Sequence, residues 1–205
     1  MTRLILVRHG ESEANQRGIY TGQLDYDLTD TGREQASMIA SYLVTHELID
    51  HVYSSDLSRT VNTARPTAEQ LELSIHTDSR LREIDLGSWS GTPLKGKEDS
   101  DPEAFRLLNE DFSHMRYPGG EYIPDVYDRV VECISEIAEK YPDRTVMIAT
   151  HGGVIRAFYA FAEGYSREEV GCAKGTISNA SIHIFDWNEG KATTRVFNFT
   201  DHLIK

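Results

Sequence analysis

Two histidines each end an apolar, strand-like run and each is followed by glycine. Leu4-Ile5-Leu6-Val7 leads into Arg8-His9-Gly10-Glu11, and Val146-Met147-Ile148-Ala149-Thr150 leads into His151-Gly152-Gly153. In open α/β sheets, reacting groups gather beyond the carboxyl ends of strands. If these two strands are neighbours, two imidazoles meet at one sheet edge with Arg8 beside them. One neutral histidine can attack phosphorus, because only the neutral ring keeps a lone pair. A second histidine and an arginine can hold the phosphoryl oxygens. The pair therefore points to phosphoryl chemistry through a histidine. Gly10 permits close backbone approach. Arg8 alternates away from His9 in an extended strand, so both reach one ligand only if the strand ends or twists there.

Two further segments carry chemistry of the same kind. Arg59, in Ser54-Ser55-Asp56-Leu57-Ser58-Arg59-Thr60, falls in the first turn of an expected helix, where free backbone N–H groups favour anions. Its guanidinium can bind two phosphate oxygens through parallel hydrogen bonds. His151 also opens a helix, so its imidazole and the adjacent N–H groups, Gly152 included, suit phosphoryl oxygens in a transition state. The departing alkoxide needs a proton and the incoming water must lose one. A single carboxyl group can do both. Leu81-Arg82-Glu83-Ile84-Asp85-Leu86-Gly87 supplies two candidates, Glu83 and Asp85, which spacing alone does not separate.

The elements that must position these residues alternate between strand and helix. Strand patterns cover 3–8, 51–55, 75–76 and 145–150. Helix patterns cover the stretch from Thr29 with Ala36, Ile39, Ala40 and Leu43 on one face, 58–71 with Val61, Ala64 and Ala68 inward, 125–140 and 153–163. Two alternating runs, 181–186 and 193–199, flank a turn at Asn188-Glu189-Gly190-Lys191 and read as a terminal hairpin. This order predicts an α/β fold, a mostly parallel sheet with helices on both faces and antiparallel pairing at one edge. The stretch 87–120 is irregular, rich in glycine and proline, with a helix expected near 102–109. It reads as an excursion over the active-site face, since long loops in compact domains are usually functional or mobile. The whole chain, 1–205, reads as one domain.

Composition narrows the function. A formal net charge of -12 over 205 residues, without a lysine/arginine run, excludes the basic footprint of a nucleic-acid binder. No apolar run is long enough to span a membrane, and no signal peptide is legible at the N-terminus. A cytoplasmic location is the default expectation. Two cysteines do not make a disulfide framework: Cys133 lies on the apolar stripe Val126, Val130, Cys133, Ile137, and Cys172 has no metal-ligand neighbour at usable spacing. His46, His51, His76, His114, His183 and His202 show no metal spacing and read as surface or packing residues.

Taken together, these residues resemble the histidine phosphatase superfamily, the phosphoglycerate mutase-like proteins. The likeness runs through Arg8-His9-Gly10-Glu11 with Asn15, Thr21-Gly22, Asp25 to Thr29, Gly32, the segment 54–60 with Thr63-Ala64, 81–91, Pro118-Gly119-Gly120-Glu121 and Thr150-His151-Gly152-Gly153. It implies a three-layer α/β/α sandwich and no metal. It implies His9 as the residue that becomes phosphohistidine, Arg8, Arg59 and His151 as phosphoryl ligands assisted by Asn15, Glu83 as acid and base, and Thr21 and Gly22 as substrate contacts. Cofactor-dependent mutases typically carry a tyrosine three residues after the glutamate, where this chain has Leu86. They also carry paired arginines in the insertion, where this chain has isolated Arg106, Arg116, Lys95 and Lys97. Gly87-Ser88-Trp89-Ser90-Gly91 is closer to the small phosphatase branch, although Tyr122 stands where serine often follows Glu121. The expectation is a metal-independent phosphatase of a small phosphorylated metabolite, without cofactor. A mutase needing 2,3-bisphosphoglycerate and a non-catalytic phospholigand-binding protein are the alternatives. Leu86, Trp89 and Tyr122 are expected on the leaving-group side, and an edge strand could pair in a homodimer.

Overall fold

The computed structural model describes residues 1–204. In chain order the elements are β1 (Thr2–Arg8), α1 (Glu13–Arg17), α2 (Asp30–His46), β2 (His51–Ser54), α3 (Ser58–Gln70), β3 (Ile75–Thr77), α4 (Lys97–Ser100), α5 (Pro102–Glu110), α6 (Ile123–Lys140), β4 (Thr145–Thr150), α7 (Gly152–Ala162), β5 (Ile182–Asn188) and β6 (Lys191–Phe199), with short 3-10 turns between them. The sheet order is β3-β2-β4-β1-β5-β6. The first four strands run parallel and the terminal hairpin adds antiparallel pairing at the β1 side.

The period of two along the central strands splits the core into two layers. Leu4, Leu6, Val146, Ile148 and Phe185 face the helices α6 and α7 through Val126, Val130, Ile134, Val154 and Phe158. Ile5, Val7, Met147, Ala149 and Ile182 face α2 and α3 through Ile39, Leu43, Ala64 and Ala68. Every side chain of the central strands named here is buried, as expected for a parallel sheet covered on both faces.

Register sets the site. β1 and β4 are direct neighbours, with Arg8 opposite Thr150. His9 and His151 are therefore the next residues out on adjacent parallel strands. β1 ends at Arg8, which meets the condition for Arg8 and His9 to share a ligand.

Local differences from expectation have local causes. The five-residue α1 is too short to show a helical period. Its signal is a cap, with Ser12 accepting from Asn15 N–H and the Asn15 side chain returning to the Ser12 backbone, a capping box with asparagine in the usual glutamate position. Val61 on α3 is half-buried, whereas Thr60, Thr63 and Thr67 are fully buried. Thr63 is held inside by polar contacts, because its hydroxyl donates to Arg59 O at 2.7 Å and accepts from Gly10 N–H at 3.1 Å. Trp89 is a core residue, 1% exposed, wedged between Tyr20 and Tyr117. Its indole N–H donates to Asp101 at 2.9 Å, tying the excursion to the core. No helix among the described residues is long and apolar enough to cross a membrane.

Candidate active site

The loop after β1 is packed backbone to backbone against the start of α2. A Cβ on Gly10 would lie 2.5 Å from Gly32 O, and one on Gly32 would lie 2.0 Å from Glu11 O. Neither position admits a side chain without moving the loop that carries His9. Asn179 holds the same loop from the β5 side. Its amide donates to His9 O, Gly10 O and Asn15 Oδ1 at 3.2, 3.3 and 3.1 Å. Asn15 Oδ1 also accepts from Ser12 N–H and Oγ–H, which leaves the Asn15 amide hydrogens for the cavity that Asn15 lines.

His9 is 4% exposed. Its Nδ1 lies 2.8 Å from Gly10 O; a carbonyl only accepts, so Nδ1 carries the proton and Nε2 keeps its lone pair. Burial, then the Arg59 and Arg8 charges, hold its pKa well below the usual imidazole range, so the ring stays neutral. His151 meets it edge-on at a centroid distance of 5.2 Å. Burial, Arg59 and His9 likewise depress its pKa. His151 Nε2 is 3.0 Å from Ser55 Oγ, which itself accepts a long hydrogen bond from Leu57 N–H. The serine hydroxyl is thus turned toward Nε2, and the His151 proton is assigned to Nδ1.

Three buried donors at this place have no protein partner: Arg8 Nε, Arg59 Nε and His151 Nδ1. Leaving one such group unpaired costs about 1–3 kcal/mol, and an anion among them would satisfy all three. Arg8 otherwise donates to Ile177 O. Arg59, 1% exposed, differs from the bidentate clamp expected of it. Its terminal nitrogens donate to Gly22 O and Leu24 O, both at 2.8 Å. The α3 N-terminus is also occupied, since Asp25 accepts from Ser58 N–H at 2.7 Å and from its hydroxyl at 2.8 Å. Arg59 therefore fastens the 22–24 loop and offers chiefly Nε to a ligand. Burial lowers its pKa to about 10, which leaves it charged at neutral pH.

The structure separates Glu83 from Asp85. Glu83 lines the cavity and Asp85 does not; Asp85 accepts from Gly87 N–H within its own turn. Glu83 Oε1 accepts from Ile84 N–H at 2.9 Å and from Gly153 N–H at 3.1 Å. A methyl built on Gly152 would sit 3.6 Å from Arg8 Nε and 3.9 Å from Glu83 Oε2, so the start of α7 brings those two side chains into one space. The Glu83 backbone is clamped by Arg129 and Glu121. Arg129 pairs with both Glu121 oxygens at 2.6 and 2.9 Å and donates to Arg80 O, Arg82 O and Glu83 O. Glu121 also accepts from Asp85 N–H at 2.7 Å.

A Cβ on Gly153 would lie 2.4 Å from Glu83 Oε1 and 2.6 Å from Ile84 Cδ1. Gly153→Ala is expected to push the carboxyl group out of place and lower kcat/KM by about 10²-fold, the cost of a misplacement near 1 Å. Steady-state kinetics alongside a melting curve checks this. A fully active variant would show that the position of Glu83 is immaterial.

The resulting cavity, about 360 Å³, is walled by Arg8, His9, Asn15, Thr21, Gly22, Arg59 and Glu83 at its polar end and by Ile19, Tyr20, Ile84, Leu86, Leu94, Phe112 and Tyr117 elsewhere. His151 is fully buried behind that wall. Of the residues expected on the leaving-group side, Leu86 is there. Trp89 stands behind the wall, supporting Tyr20 and Tyr117, and Tyr122 lies elsewhere, under Arg116. Arg156, one turn along α7, also lines the cavity. Sequence reasoning missed Arg156, Asn179, Ser55 and Arg129; only Arg129 and Arg156 left a trace, as cations at one face of amphipathic helices. Among the described residues no group of three or more His, Cys, Asp or Glu side chains is placed to hold a metal ion.

Burial also has a pH signature. His183, under the site on β5, is fully buried and its pKa is lowered to about 3 by burial and then Arg8. His9 and His151 are depressed in the same sense. Each is neutral in the fold, while the unfolded chain takes up protons below pH ~6.5. Their contribution to stability is therefore complete above pH ~6.5 and declines as pH falls, for His183 down to about 3. The slope is up to about 1.4 kcal/mol per pH unit for each group. Denaturant unfolding between those limits should show this loss, with a shallower slope in His183→Gln; an unchanged slope would refute it.

Comparison with known proteins gives the family. The model of the histidine phosphatase superfamily (branch 1) matches residues 4–200. Phosphoserine phosphatase 1 of Hydrogenobacter thermophilus is 36% identical over 99% of this chain and 95% of its own length. A metal-independent phosphoserine phosphatase of Arabidopsis thaliana is 32% identical over 99% of this chain and 84% of its own. Among solved structures, Bacillus stearothermophilus YhfR superposes with a TM-score of 0.91 at 29% identity, covering 99% of this chain and all of that one. With the family model running from within β1 to the end of β6 and across both histidine turns, the chain belongs to the histidine phosphatase superfamily, branch 1.

Proposed function

We propose that this phosphoric monoester hydrolase works through a phosphohistidine on His9 and needs no metal. The observation that carries the reading is the tautomer of His9: Nδ1 is tied to Gly10 O, so the free Nε2 lone pair belongs to a buried ring among three unpartnered buried donors. In the first step Nε2 attacks phosphorus, the P–O ester bond breaks, and the leaving oxygen takes a proton from Glu83. In the second, Glu83 takes a proton from water as water attacks phosphorus and the P–N bond breaks, returning His9. Negative charge on the equatorial oxygens in both transition states falls where Arg8, Arg59 and His151 offer N–H groups. The relatives' names support a phosphatase, and the name of the Arabidopsis protein supports metal independence.

The substrate would be a small phosphorylated metabolite, and the names of these relatives make phosphoserine the first to try. The test is phosphate release from a panel of phosphomonoesters with chelator present, together with acid quenching to trap an acid-labile phosphoenzyme. Release that persists with chelator and passes through that species is the expected result. Release that stops on chelation would overturn metal independence. Isomerisation of 3-phosphoglycerate that depends on 2,3-bisphosphoglycerate, without net release, would place the chain among the mutases.

A further inference from the structure

The stretch that carries Glu83 has no regular structure. It joins the 3-10 turn Ser79–Leu81 to the next one at Gly87–Trp89, and its backbone polar groups need partners from elsewhere. They find them on one ion pair. Arg129 Nη1 donates to Arg80 O at 2.7 Å and to Arg82 O at 3.0 Å, and Nη2 donates to Glu83 O at 3.3 Å. Nε and Nη2 bind the two Glu121 oxygens in parallel. Glu121 Oε2 in turn accepts from Asp85 N–H at 2.7 Å. Carbonyls up to residue 83 and the N–H two residues beyond it therefore end on the same pair. All five guanidinium N–H donors are used. Glu83 O accepts a second bond from Gln23 at 3.2 Å, within the loop that Arg59 fastens.

α6 grips this stretch at another point, and the contrast is informative. Glu136 pairs with the Arg80 guanidinium at 2.7 Å, and the Glu136 side chain is 55% exposed. Exposed pairs of that kind contribute little. Arg129 and Glu121 are 18% and 23% exposed and hold backbone on either side of the acid and base. What they hold in place is a carboxyl group with few contacts of its own. Glu83 Oε1 accepts from Ile84 N–H and Gly153 N–H. Gly153 lies in the first turn of α7, where the helix supplies no acceptor, so its N–H depends on Glu83.

We propose that Arg129, held by Glu121, is a positioning residue: it curls residues 80–85 so that the Glu83 carboxyl meets Gly153 N–H and the cavity, and it acts on the reaction only through the two proton transfers of Glu83. This rests on the phosphatase reading, in which Glu83 is acid and base.

Arg129→Lys tests it, because lysine keeps the charge but offers three donors from one point instead of a five-donor fork. For alkyl phosphates kcat/KM should fall by about 10²-fold, as for a misplacement near 1 Å. The burst of nitrophenol from an aryl ester should be little changed, since that leaving group needs no proton. Affinity for an alkyl phosphonate, which binds without turnover, should also be unchanged. In the Glu83→Gln background Arg129→Lys should lower alkyl ester turnover no further, within about 2-fold. Glu136→Gln, on the same helix and against the same stretch, should keep the wild-type rates. By NMR, amide exchange at Gly153 should become at least about 10-fold faster in Arg129→Lys. If that variant does not fold, Glu121→Gln takes its place. Its amide NH2 must face either Arg129 or the Asp85 N–H, so the same pattern is expected at smaller size. Losses that multiply in the double variant, equal losses for alkyl and aryl esters, an equal loss in Glu136→Gln, or Gly153 exchange at the wild-type rate would overturn the proposal. The exchange measurement needs no turnover. It decides the placement of Glu83 even if no ester is hydrolysed, a result that would count against the phosphatase reading alone.

Discussion

His9→Ala is expected to lower kcat by on the order of 10⁵-fold and to abolish the acid-labile phosphoenzyme, because loss of a nucleophile removes the covalent route entirely. The fold should survive. His9 makes one side-chain hydrogen bond, to its neighbour Gly10 O, while its loop is held by Asn179 and by the Gly10–Gly32 contact, which alanine at position 9 leaves intact. Phosphonate affinity should change by less than about 10-fold, since Arg8, Arg59 and Asn15 remain. His151→Ala should differ in kind. His151 lies behind the cavity wall with a proton assigned to Nδ1, so its loss should slow both steps yet leave the phosphoenzyme detectable. Phosphate release by His9→Ala at the wild-type rate, with the phosphoenzyme still formed, would show that the nucleophile lies elsewhere.

What could be read from the sequence, and what could not, divides along physical lines. The two strand ends carrying His9 and His151 were legible because parallel central strands are continuous apolar runs, and the glycines after them mark where each run stops. Both helix layers followed from hydrophobic period, whereas the adjacency of β1 and β4 stood only as a condition until the sheet order supplied it. The contacts that orient the site were hidden because they join residues remote in sequence through single hydrogen bonds. Asn179 reaches a loop 170 positions away, Ser55 sets the His151 tautomer across 96, and Glu83 is fixed by Gly153 across 70. None of these leaves a periodic trace. Arg59 shows the same limit from another side. Its place in the first turn of α3 was correctly read, yet Asp25 fills that helix terminus and the loop carbonyls of Gly22 and Leu24 take its terminal nitrogens. Trp89 was misread because a large aromatic in a glycine-rich stretch looks like a pocket wall, whereas here it is the post behind the two tyrosines that form the wall.

Glu83→Gln separates the two proton transfers. Glutamine preserves shape, and its Oε1 can still accept from Ile84 and Gly153 N–H, so the side chain should keep its place. The Arg129–Glu121 clamp acts on the backbone and is untouched. What is lost is a transferable proton. For alkyl phosphates, whose alkoxide departs poorly, kcat/KM should fall by about 10²–10⁴-fold, the usual yield of general acid catalysis. For a nitrophenyl ester, whose phenolate leaves without protonation, formation of the phosphoenzyme should be nearly unaffected. Its hydrolysis still needs water to lose a proton, so turnover slows at the second step. A burst of nitrophenol followed by slow release of phosphate, with phosphohistidine accumulating, is the expected signature in rapid-quench kinetics. Equal losses for alkyl and aryl esters, without a burst, would mean that Glu83 shapes the site and transfers no proton.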